Sequence, residues 1–181
     1  TIENADRLVL NDDGTMKQIA MTDLANYVAS GSDLDILADA KSGGTNFTES
    51  LLIGHQTTGT LNAAQYNTGV GRGSLDAITE GYQNTGLGYN SLTANTTGSN
   101  NTGLGNAAGD VITTGSQNVL LGSGTDPSAN DGTNQTVVGY GATGQADNSV
   151  TLGNANVTTV YMSQDKGATV HAAGISLEND E

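Results

Sequence analysis

The chain has 181 residues, a formal net charge of −14, 26 glycines, one proline and neither cysteine nor tryptophan. Leu, Ile, Val and Phe together make up just under a fifth of it, too little apolar surface for one large globular core, so the chain is either disordered or stabilised by repetition and by other chains. The cations Arg7, Lys17, Lys41, Arg72 and Lys166 are scattered, which argues against a nucleic-acid partner or an anionic membrane surface; the missing cysteines exclude disulfides and thiolate metal sites.

Residues 1–48 read as an N-terminal cap or connector. Two short β-compatible runs, residues 7–10 and 15–20, flank Asn11-Asp12-Asp13-Gly14, a hairpin signal. Thr22 is placed to cap a short helix over residues 23–29, with Leu24, Tyr27 and Val28 on one face. Residues 33–40 fit strand or helix equally.

Residues 49–153 carry a repeat. An aliphatic residue precedes a glycine at Gly54, Gly71, Gly88, Gly105, Gly122, Gly139 and Gly153. The first six glycines recur every 17 residues, and the last step shortens to 14. Asn67, Asn84, Asn101 and Asn118 keep the same period, and Gln135 continues their column. A second glycine column holds Gly81, Gly98, Gly115 and Gly132. Helical repeats need about 30 residues and good helix formers, and these coils have neither. The period instead fits one coil of a narrow parallel β-roll, an all-β solenoid of roughly 33 Å at about 4.8 Å per coil. The glycines then occupy turns that a side chain would hinder, and the asparagines stack coil on coil. The aliphatic residue before each glycine is expected to point inward. Leu75, Ile78, Leu92, Val111 and Ile112 are expected to form an outer apolar seam against neighbouring chains, since a single thin roll buries little.

Residues 154–181 read as a C-terminal β tail. No apolar run approaches the ~20 residues of a spanning helix, so no membrane insertion is expected.

Chemistry-bearing constellations are sparse. Asp76 and Glu80 are the one close carboxylate pair within the repeats, as a glycosidase would need, but they fall in a variable turn. The tyrosines within the repeats that a sugar platform would draw on, Tyr66, Tyr82, Tyr89 and Tyr140, are few. Asp33, Asp35 and Asp39 lack the glycine and closing glutamate of a calcium loop. His55 and His171 have no companion ligands nearby in sequence. Gly88 and Gly105 recur with the coil and lack the Lys-Ser/Thr of a phosphate loop. The threonine columns that a flat ice-binding ladder would need are interrupted, at Val119 for example. The reading is a chain with no catalytic site, cofactor or metal.

The Asn-Thr-Gly-Leu-Gly pattern of residues 84–88, repeating with Thr-Gly-Ser-Asn turns, resembles the left-handed parallel β-roll head repeats of trimeric autotransporter adhesins. It is closer still to repeat segments of bacteriophage tail fibres. Residues 148–162 and 167–175 look like a segment that follows such repeats in marine phage fibre proteins, and residues 5–10 and 21–24 like what precedes them. The resemblance implies a homotrimer and a left-handed roll. It implies an adhesive or spacing role on a virion, alongside other fibre proteins and a host-surface glycan or protein. The adhesin repeat is nearer 14 residues and no membrane-anchor segment appears here, so a phage fibre is preferred to a bacterial surface adhesin. A polysaccharide-degrading tailspike ranks below both.

Overall fold

The computed structural model describes residues 7–12, 15–20, 40–55, 57–163 and 169. The expected helix over residues 23–29, Asp33, Asp35 and Asp39, and His171 lie outside these residues. Among those described there is no helix. Strands β1 (Arg7–Asp12) and β2 (Thr15–Ala20) pair antiparallel, with Arg7 opposite Ala20.

The rest is a parallel β-solenoid. Strand β3 (Ala40–Ser42) runs antiparallel to β5 (Leu51–Ile53) at one end. From β5 onward the sheet is parallel: β7 (Thr68–Val70), β8 (Thr85–Leu87), β9 (Thr102–Leu104), β10 (Val119–Leu121), β11 (Gln135–Val138) and β12 (Ser149–Leu152) follow in sequence order. Register advances by one coil each time, Thr68 opposite Thr85 and Thr85 opposite Thr102, and the shorter last step sets Gln135 opposite Ser149. A small parallel pair, β4 (Phe47–Thr48) and β6 (Ala64–Gln65), lies outside this sheet near its beginning. The remaining arc of each coil has no regular strand but still bonds to its neighbour. The Leu75, Leu92, Gly109 and Asp126 amides donate to the carbonyls of Ser91, Ala108, Thr125 and Ala142.

The strands are short because a glycine ends each one. Gly88 and Gly105 have φ of 139° and 138°, which L side chains rarely adopt. Space forbids a side chain too: a Cβ on Gly105 would lie 2.5 Å from the Gly122 carbonyl oxygen. The glycine column is therefore where successive backbones pack directly on one another.

The orientation of the aliphatic residues is the reverse of the sequence expectation. Alternation along β8 turns Thr85 and Leu87 outward and Gly86 inward. Leu87 is 46% exposed and Leu104 47%, while Leu75, Ile78, Leu92 and Ile112, assigned from sequence to an outer seam, are fully buried. Of that proposed seam only Val111 is exposed. The physical reason is the narrow bore. A Cβ on Gly103 would sit 2.9 Å from the Ala108 carbonyl and 3.0 Å from Leu92 Cγ, so the strand presents glycine where the opposite wall supplies leucine. Farther along, the sides exchange. Leu120 and Val137 point inward from the strands, and Gly109 leaves the room that Leu120 fills.

A polar spine runs beside this core. Asn67, Asn84, Asn101, Asn118 and Gln135 are fully buried. Each asparagine Oδ1 accepts the backbone N–H of the next member of the column at 3.0 Å. Each Nδ2 donates to the carbonyl of the glycine 14 residues later, Gly81, Gly98, Gly115 or Gly132, at 2.7–2.9 Å, tying the start of its coil to the turn that closes it. Buried amides so satisfied avoid the desolvation penalty of an unpaired group.

Candidate assembly face and polar groove

The outward faces of the parallel strands make one continuous surface. On it lie two columns. One is Thr68, Thr85, Thr102, Val119 and Thr136; the other is Ile53, Val70, Leu87, Leu104, Leu121, Val138 and Leu152. The second column is aliphatic at every coil. Ile53, Leu87, Leu104 and Leu152 each expose 39–47% of their surface. A scattered exposed leucine needs no explanation, whereas this row repeats an aliphatic residue at every coil. The polar groups of the two columns are threonine hydroxyls, and neither column holds an ionisable side chain.

A second feature lies just past the glycine column. The residue following each glycine is His55, Arg72, Tyr89, Asn106, Ser123, Tyr140 and Asn154 in turn. His55, Arg72 and Tyr89, on three adjacent coils, line a groove of about 500 Å³ together with Asp76, Asn90 and Thr93. The imidazole is fixed at both nitrogens. Nε2 lies 2.7 Å from the Ser74 carbonyl and so carries the proton, and Nδ1 lies 2.9 Å from Thr57 Oγ1. Asp76 Oδ1 is 3.8 Å from Nδ1. The Arg72 guanidinium sits 5.9 Å from the centre of the Tyr89 ring. Among the described residues it makes no ion pair.

The carboxylate pair singled out in the sequence has divided partners. Asp76 faces His55, whereas Glu80 accepts a hydrogen bond from Asn62 Nδ2 at 2.7 Å. No group of three or more metal-ligating side chains occurs among the described residues. Nor does any helix there have the length and apolarity to cross a membrane.

The sequence reading missed another carboxylate pair. Burial, and then the neighbouring Asp110 carboxylate, push the Asp126 carboxyl up to about 6, against a hydrogen bond from the Val111 backbone that lowers it. Burial raises Asp110 as well. Asp126 Oδ1 is buried without a hydrogen-bond partner. The signal was available: one coil earlier the Asp126 position is Gly109, and two coils earlier it is Leu92, an inward core position.

No protein-family model, curated protein or solved structure matches the chain.

Proposed function

We propose that the chain is a rod segment of a homotrimeric fibre, a phage tail fibre or related virion appendage, in which the roll is left-handed and three copies pack through their outward aliphatic columns. The observation that carries this reading is the row from Ile53 to Leu152, aliphatic at every coil, with Ile53, Leu87, Leu104 and Leu152 exposed and Val70, Leu121 and Val138 partly so. Burying apolar area contributes about 25 cal/mol per Å², so a row of this length favours association. The number three, the handedness and the virion setting rest on the likeness of the Asn-Thr-Gly-Leu-Gly repeats to fibre segments. The function is mechanical and adhesive: a stiff spacer that joins other fibre proteins and presents turn residues to a host-surface glycan or protein, with trivalency multiplying weak contacts. The chain needs no catalytic residue for this.

Native mass spectrometry or light scattering tests it. The expected species weighs three times the 18.2 kDa of one chain. A folded monomer at micromolar concentration would remove the proposal.

A further inference from the structure

We propose that the groove lined by His55, Arg72, Asp76, Tyr89, Asn90 and Thr93 binds a neutral pyranose sugar. This deepens the fibre reading by naming a ligand class and a place for it.

The fold does not demand these side chains. The column that holds His55, Arg72 and Tyr89 holds Asn106 and Ser123 on the next two coils, with the same backbone bonding between neighbours. Three large residues of the column fall on adjacent coils, with Tyr140 standing apart farther along, and those three help bound a cavity of about 500 Å³, a volume in the range of small-molecule sites. Their chemistry is complementary to a sugar. Tyr89, 46% exposed, offers a ring face for the C–H side of a pyranose. Asp76 accepts from hydroxyls, Asn90 donates and accepts, and Arg72 donates without a competing ion pair among the described residues. The two bonds that clamp His55 fix that wall before any ligand arrives, which reduces the ordering cost of binding. A polyanionic glycan is disfavoured, because the chain carries −14 overall and Asp76 adds a carboxylate within the groove.

The test is an NMR titration of the intact chain with the methyl glycosides of glucose, galactose and mannose, and separately with glucuronate. Native mass is recorded on the same samples, so a failure of assembly and a failure of binding are seen apart. At least one neutral glycoside is expected to shift resonances confined to residues 55–93 at millimolar concentration. Tyr89→Ala and Asp76→Asn are each expected to abolish those shifts while leaving the mass and the circular dichroism spectrum unchanged. The proposal is overturned if no neutral glycoside shifts the groove, if glucuronate binds more tightly than all of them, or if both folded variants bind as the parent does.

Discussion

Asn84 donates twice to one atom: its backbone N–H and its Nδ2 both lie 3.0 Å from Oδ1 of Asn67. Its own Oδ1 accepts from Asn101 N–H, and Nδ2 also reaches the Gly98 carbonyl at 2.9 Å. One side chain thus serves three coils. Asn84→Ala leaves the buried Asn101 amide without its acceptor and removes both Nδ2 bonds. The expected loss is about 3 kcal/mol, given about 1–3 kcal/mol for each buried group left unpaired. Chemical denaturation of parent and variant measures it, and a loss within experimental error would show that the column is not a stabilising spine.

Asn95 breaks the rule that its neighbours follow. Its column holds Ile78 one coil before and Ile112 one coil after, all fully buried. The Asn95 Nδ2 donates to the Gly98 carbonyl at 3.1 Å, but Oδ1 has no partner. Gly98 keeps its bond from Asn84 if Asn95 is replaced. Asn95→Ile is expected to raise stability by about 1 kcal/mol, since an unpaired polar atom gives way to apolar burial. A lower melting temperature in this variant would contradict the account.

Acid is expected to stabilise the coil at Asp126. An aspartate raised from 3.8 to about 6 binds its proton more tightly folded than unfolded. Its contribution is therefore complete below 3.8 and is lost as pH rises through about 6. Other carboxylates also discharge over this range, so the informative quantity is the difference from Asp126→Asn. Thermal melts of both proteins across the window should show the parent gaining more on acidification. Parallel curves would place the Asp126 titration elsewhere.

Charge on the outward face separates folding from assembly. Leu87→Lys with Leu104→Lys changes two half-exposed positions on adjacent coils. The solenoid should keep its circular dichroism spectrum, while the native mass falls to that of one chain. A double variant that retains the parent mass would move the interface to another face.

Much of the coil was legible from the period. Gly54 through Gly139, the asparagines and the shorter final step fix where strands start and turn, and parallel stacking follows from a short repeat. What period could not give was the side each column takes. The aliphatic residue before each glycine, Leu87 among them, is expected from sequence to be core. The bore is so narrow that Gly86 faces inward and Leu87 outward, and Leu75 and Leu92 fill the space from the other wall. Alternation alone offers two faces, and only the opposite wall decides between them. The groove was hidden for a related reason. His55, Arg72 and Tyr89 are a full repeat apart, and only the stacking of coils makes them neighbours.

The common step of the glycine column, the asparagine spine and the outward aliphatic row has a consequence for how such a rod changes size. Duplicating any one 17-residue block between Asn67 and Asn118 copies one element of all three in phase. The cross-section is preserved and the rod lengthens by about 4.8 Å. Reach is thus a ruler graduated in whole coils, and the 14-residue step from Gly139 to Gly153 shows that a coil can lose turn residues while its strand stays in register.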